Sequence, residues 1–399
     1  MKIKEKIKDI NWFEIIILFA IFCAATFVIN IMTVGLGGKH SWPSDYPIHI
    51  RAALRGNQVY SLLLLVYKVL FLITGNTKLI AIFMGAVFTA TVPVVKKLLL
   101  EMTEGREIGT EGKSRLITEI CFMAGVSAIF ISGLYIPVIH PQFFWNGLTQ
   151  SWHNGTYAAM RLSAFITMIF FFRIWKNFPE KLRYKEWIPF TVFLTLTNCI
   201  KPNFVMAFGP ALLALMLWKF FSGRCRCMMR YIILGCGVLI SLAVLPIQYA
   251  ILYSAHNGGG SSAWVFSTAM FIRAAHDWKT VFFVLANIIF PLTVTIFAIK
   301  NKRINGFYVF SWLMTAAASI EACFFVESGF RRADGNFLWG IYFALLFLHI
   351  MSVERLIDMV KKKDININTT LSLTAIYLIY VAAGFMYFGN IFTGHYYIV

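Results

Sequence analysis

Asp45 and His49 stand four residues apart in the stretch Ser41-Trp42-Pro43-Ser44-Asp45-Tyr46-Pro47-Ile48-His49-Ile50-Arg51. Pro43 and Pro47 bracket Asp45 and keep that piece of chain out of a regular helix. After Pro47 the pattern turns helical, so the carboxylate and the imidazole lie about one turn apart. Such a pair can take up a proton from a bound hydroxyl or hold a cation. The same residues would also suit a solvated loop. The stretch gains interest from its place: it follows an apolar run, Trp12 to Gly35, long enough to cross a bilayer.

Three further groups could do chemistry. Around the segment Ser151-Trp152-His153-Asn154-Gly155-Thr156-Tyr157, Trp152 offers an aromatic face while His153 and Asn154 offer hydrogen bonds. That combination suits a sugar, whose C–H faces stack on rings and whose hydroxyls bond to amides. An interfacial aromatic belt accounts for Trp152 but not for His153-Asn154. Lys201 sits in a short turn, Lys201-Pro202-Asn203-Phe204, between two apolar runs; it could meet a lipid phosphate or snorkel to the headgroups. The segment Glu327-Ser328-Gly329-Phe330-Arg331-Arg332-Ala333-Asp334 is dense in charge beside an apolar run. Arg331 and Arg332 suit bidentate phosphate contact, and Glu327 and Asp334 could pair with them or bind a divalent cation. Charges in such a place are costly unless used.

These groups need a scaffold, and composition says which. The 399 residues are 59% hydrophobic and only 14% charged, against about 25% charged in a soluble domain, and the mean hydropathy is +0.71. Apolar runs of about 20 residues recur along the whole length, which predicts one all-α, polytopic transmembrane helix bundle over residues 1–399. The net charge of +18 does not point to nucleic acid, because the basic residues are spread between apolar spans and no basic domain exists. The seven cysteines fall mostly inside spans and form no disulfide framework.

Charge placement then orders the spans. Lys2, Lys4, Lys6 and Lys8 put the N-terminus in the cytoplasm. The run Val59 to Thr74 is short, and if it crossed the membrane the basic segment Lys96 to Arg115 would fall outside. It is therefore expected to lie at the outer surface, within a first extracytoplasmic loop at 36–77. With that choice about eleven spans alternate, and the lysine- and arginine-rich loops collect on the cytoplasmic side. Asp45, His49, Trp152, His153, Asn154, Lys201, Glu327, Arg331 and Arg332 all fall on the outer side of an integral plasma-membrane protein.

This pattern resembles the GT-C superfamily of polytopic membrane glycosyltransferases. The resemblance covers the architecture of the whole chain and rests on an acidic residue in the first outer loop, Asp45 in Ser44-Asp45-Tyr46-Pro47-Ile48-His49, with an interfacial helix after it. Paired acidic residues are common in that family; here Asp45 stands beside His49 instead. The resemblance implies a polyprenyl-phosphate-linked sugar as donor, an extracytoplasmic glycan or lipid as acceptor, and Lys201, Arg331 and Arg332 near the lipid phosphate; Asp45 is expected as base, with His49 one turn on as its helper. Physical logic runs the same way. Outside the cell an activated sugar must arrive on a lipid, its phosphate leaving group needs fixed cations, and direct attack would invert the anomeric carbon.

A transporter, flippase or polymerase of lipid-linked polysaccharide is the competing class. It would need polar groups through the middle of several spans or broken helices in related halves; Glu321 is one such group, and no internal repeat is evident. The topology makes the first testable statement. A cysteine introduced as Gly105→Cys should resist membrane-impermeant thiol reagent in intact cells and react after permeabilisation; strong labelling of intact cells would reverse the assignment.

Overall fold

A computed structural model describes residues 11–34, 44–55, 60–104, 115–134, 152–223, 226–254, 264–328 and 335–393. The chain is an all-α bundle, in chain order α1 (Trp12–Val34), α2 (Tyr46–Arg55), α3 (Leu62–Thr74), α4 (Lys78–Glu104), α5 (Arg115–Phe130), α6 (Gly155–Asn177), α7 (Tyr184–Ile200), α8 (Asn203–Ser222), α9 (Met228–Leu242), α10 (Val244–Ser254), β1 (Trp264–Phe266), α11 (Ala269–His276), α12 (Trp278–Lys300), α13 (Gly306–Phe324), β2 (Phe325–Glu327), α14 (Leu338–Lys361) and α15 (Ile367–Thr393). Among the described residues nine helical stretches are long and apolar enough to cross a membrane. Two more of the expected spans form helices in place, α5 and α7, but at 16 and 17 residues they are shorter than a full crossing. At 13 residues α3 reaches only about 20 Å, against about 30 Å of hydrocarbon. Ser61 caps it, its side chain accepting from the Leu63 amide at 3.3 Å while its hydroxyl donates to the Ile200 carbonyl at 2.7 Å.

Burial sorts the helices by position. In α14, 94% of the apolar window is inside the protein, against 33% in α1 and 22% in the stretch 228–251. A helix surrounded by other helices can carry polar groups on any face, and α14 does: His349, Ser352, Glu354, Arg355 and Asp358 are all buried. Helices at the rim instead show large apolar side chains such as Phe19, Leu213 and Leu239 to the outside, as lipid-facing surfaces do.

Ionic and polar contacts collect at two opposite ends of the bundle. At one end Lys96 pairs with Glu14 at 2.6 Å, Arg173 with Glu101, Arg303 with Asp364 at 2.5 Å, and Arg355 with Glu354 and Asp358. The other end gathers the start of α2, the N-termini of α6 and α8, and the C-terminus of α7, through Asp45 to His153 and Asn203 to Asn336. The pairing of β1 with β2, in register Trp264 opposite Glu327, closes that second end.

Close helix approach rests on small residues. A Cβ on Gly125 would lie 2.5 Å from the Val92 carbonyl oxygen, so α4 and α5 meet backbone to backbone there. A Cβ on Gly209, in α8, would meet nothing within 4 Å. Gly125→Val should therefore destabilise the purified protein by about 1–3 kcal/mol, the usual cost of overpacking, whereas Gly209→Ala should leave it unchanged or slightly stabilised. Thermal unfolding in detergent reads both, and a Gly125→Val protein that melts with wild type would remove this contact from the packing.

Candidate functional site

The site is built on Asn154. As N-cap of α6 it has extended backbone, φ −120° and ψ 102°, and its Oδ1 accepts from the Tyr157 amide at 2.8 Å and from the Thr156 hydroxyl at 2.7 Å. That use of the oxygen turns the amide nitrogen outward, where Nδ2 donates to Asp45 Oδ2 at 2.5 Å. The backbone adds two ties: the Asp45 amide and the Ser44 hydroxyl both donate to the His153 carbonyl, at 3.0 and 3.3 Å. Residues 109 apart in sequence are thus held in one fixed geometry, worth about 1.5–3 kcal/mol for the charge-assisted bond alone. Asp45 immediately precedes α2, where Pro47 fits the first turn because no intrahelical partner is needed there.

His49 lies one turn on, its amide donating to the Asp45 carbonyl at 2.8 Å. Burial pushes the His49 imidazole down to about 4, with Asp45 opposing and Lys201 and His153 adding to the fall. His153 is also lowered, by burial first and by Lys201, against Asp45. Both rings are therefore neutral at pH 7. A protonated His49 opposing Asp45 does not arise at that pH, because a buried ring beside Lys201 cannot keep a second positive charge.

Lys201 continues the chain of contacts. Its Nζ donates to Thr156 Oγ1 at 3.4 Å and lies 4.4 Å from the centre of the Trp339 ring, a cation–π placement that fixes the ammonium. Lys201, Thr156, Asn203, Glu327, Asn336 and Trp264 line a cavity of about 120 Å³. Glu327 Oε2 accepts from Asn336 Nδ2 at 2.7 Å, and the Asn336 carbonyl accepts from Asn203 Nδ2 at 2.6 Å. One polar run therefore passes from Asp45 through Asn154 and Thr156 to Lys201, and Glu327 lines the same cavity as Lys201.

Of the residues singled out by sequence, Asp45, His49, His153, Asn154 and Lys201 come together, and Glu327 shares the cavity wall with Lys201 alone of these. Arg331 and Arg332 lie outside the described residues. Trp152 is 1% exposed, its ring stacked on Phe88 at 4.2 Å and tilted against Phe388 at 4.9 Å, so its aromatic face is covered by packing. Sequence reasoning passed over Thr156, Asn203, Asn336 and Trp339. For Thr156, Asn203 and Asn336 the signal was available: small polar or amide side chains directly at the ends of apolar runs, where helix termini leave backbone groups to satisfy. Among the described residues no group of three or more histidine, cysteine or acidic side chains stands close enough to hold a metal ion. No protein-family model, curated protein or solved structure matches this chain.

The lowered histidines set the sign of the pH response. A folded-state value below the unfolded one means that the unfolded chain binds more protons between about pH 4 and 6.5, so stability rises with pH through that window and is lost on acidification. The melting temperature should fall from pH 7 to pH 5, and His49→Gln should fall less. Equal slopes for the two proteins would assign the effect elsewhere.

Proposed function

We propose that this protein is a membrane glycosyltransferase that moves a sugar from a polyprenyl-phosphate lipid to an extracytoplasmic glycan or lipid acceptor. The observation that carries the reading is the fixed polar run Asp45–Asn154–Thr156–Lys201 along one end of the bundle, beside a cavity walled by Glu327 and Asn336. A base and a cation held a short distance apart on a water-accessible end are what transfer from a phosphate leaving group requires. The orientation belongs to the same proposal: the end rich in ion pairs, which follows the basic N-terminus and the basic segments near Lys96 and Lys361, faces the cytoplasm.

In this reading Asp45 takes the proton from the acceptor hydroxyl as that oxygen attacks the anomeric carbon. The bond from that carbon to the phosphate oxygen breaks, and the phosphate leaves with the electron pair toward Lys201, with Arg331 and Arg332 as further cations. Attack opposite the leaving group inverts the anomeric carbon. Neutral His49 and His153 act as positioning residues: they pack beside Asp45 without competing for its charge. A divalent cation, if the reaction uses one, would be held by Glu327 and Asp334.

A transporter, flippase or polymerase of lipid-linked polysaccharide has one observation in its favour. Glu321 of α13 is buried, and neither of its carboxyl oxygens has a hydrogen-bond partner; polar groups of that kind mark substrate paths in transporters.

Asp45→Asn separates the readings. Asparagine can still accept the bond from Asn154, so the fold and donor binding should persist. Transfer of a labelled sugar from a polyprenyl phosphate by purified protein should fall by ~10²–10⁴, the usual loss with a general base. An Asn variant as active as wild type would remove Asp45 from the chemistry. Wild-type protein that transfers nothing yet moves lipid-linked glycan across a liposome bilayer, with Glu321→Gln abolishing the movement, would replace the enzyme by the transporter.

A further inference from the structure

Arg161 lies two turns into α6 and is 2% exposed. Its Nη1 makes one long bond to the Ala128 carbonyl, at 3.5 Å, and its Cζ lies 5.2 Å from the centre of the Phe88 ring. Nε and Nη2 find no hydrogen-bond partner among the described residues. Among the described residues the titratable groups that act on it are Tyr157 and Tyr46, neither of them a carboxylate. The neighbourhood holds more donors without acceptors. The hydroxyls of Tyr46 and Tyr67 and the indole N–H of Trp152 are all buried and unbonded. They belong to the same packed cluster: Trp152 stacks on Phe88, and the Tyr46 and Tyr67 rings meet over Gly155, where a Cβ would fall 2.1 Å from Tyr67 Oη.

Five unbonded donor atoms, two of them on a guanidinium, describe a site that lacks negative charge. A buried cation without a counter-charge costs several kcal/mol, and arginine does not escape by losing its proton. Water could accept the hydrogen bonds but would leave the charge. The other wall, Phe88 and the Ala128 backbone, offers no acidic group. The packing is close, since a Cβ on Gly155 would fall 2.1 Å from Tyr67 Oη and 2.8 Å from the Tyr46 ring, and neither Arg161 nor Tyr46 lines the 120 Å³ cavity. A phosphoester or sugar would not fit. We propose that Arg161, together with the hydroxyl of Tyr46, binds a small inorganic anion of chloride size between α2, α4, α5 and α6. The site is independent of the transfer reaction proposed above: it serves the packing of α2, and hence of the segment that carries Asp45, onto α6.

Bromide is the probe. Protein purified in gluconate should gain several degrees in melting temperature when bromide or chloride is added, saturating with concentration as a single site does, and a crystal grown in bromide should show an anomalous peak beside Arg161. Tyr46→Phe, which keeps the ring and removes one donor, should weaken bromide binding roughly fivefold. Arg161→Met should abolish the halide response while leaving a folded protein. If Arg161→Met does not fold, the Tyr46→Phe titration and the anomalous peak decide alone. A melting temperature indifferent to halide, a Tyr46→Phe protein with unchanged affinity, or stabilisation by inorganic phosphate or phosphatidylglycerol vesicles but not by halide would each overturn the assignment.

Discussion

One side-chain amide joins the halves of the candidate site. Asn154 spends its oxygen on the first turn of α6 and its nitrogen on Asp45. Each use depends on the other, because an amide has one acceptor end and one donor end and the helix terminus leaves the donor end facing the carboxylate. Without the cap, α6 would lose its defined start and Thr156 would no longer sit under Lys201. Without Asp45, a buried amide donor would lose its partner. The geometry at that end of the bundle therefore follows from satisfying a helix N-terminus, a need every membrane helix has.

The opposite end uses charge differently. Arg355, 0% exposed in its side chain, is held by Glu354 and Asp358 and by the Arg303 carbonyl, and Arg303 is held in turn by Asp364. Every cation of that network has an acidic partner, so its role is complete within the fold: it pins the end of α14 against the turn before α13. Arg161, toward the other end, is not closed in this way. Among the described residues it meets a carbonyl and a ring face. The contrast is between ion pairs that neutralise one another and a cation placed on neutral partners, and only the second kind leaves charge to spend on a ligand.

Much of the fold was legible because a bilayer permits few solutions. Apolar length located the spans, and the shortness of Val59 to Thr74 marked a helix that does not cross, which α3 matches at 13 residues. Legibility was poorer where helices fall below the full length, as α5 and α7 do at 16 and 17 residues, since apolar length does not say where a helix stops. Of the site, Asp45, His153, Asn154 and Lys201 announced themselves as polar groups at the mouths of apolar runs. Their mutual contacts did not, because the hydrogen bond from Asn154 to Asp45 joins residues 109 apart and no local period encodes it. The covering of Trp152 by Phe88 is likewise a tertiary fact. Arg161 stood in plain view inside an apolar run, but only packing shows that among the described residues no carboxylate faces it.

The distribution of burial also bears on the two classes of function. Transport across the bundle needs a path whose lining groups can be exposed to either side in turn. Here the central helix, α14, is enclosed for 94% of its apolar window and tied at one end by a closed ionic network, and the described cavity opens among residues of the other end alone. Glu321 sits close to that same end, where a Cβ on Gly340 would lie 3.1 Å from its Oε2 and 3.3 Å from the Asn203 carbonyl, and Asn203 itself lines the cavity. A carboxyl in that place extends a one-sided site downward more readily than it begins a second gate. That arrangement supports the proposed reading, chemistry done on one face, over transport, with the apolar bundle as the support that holds Asp45 and Lys201 in place.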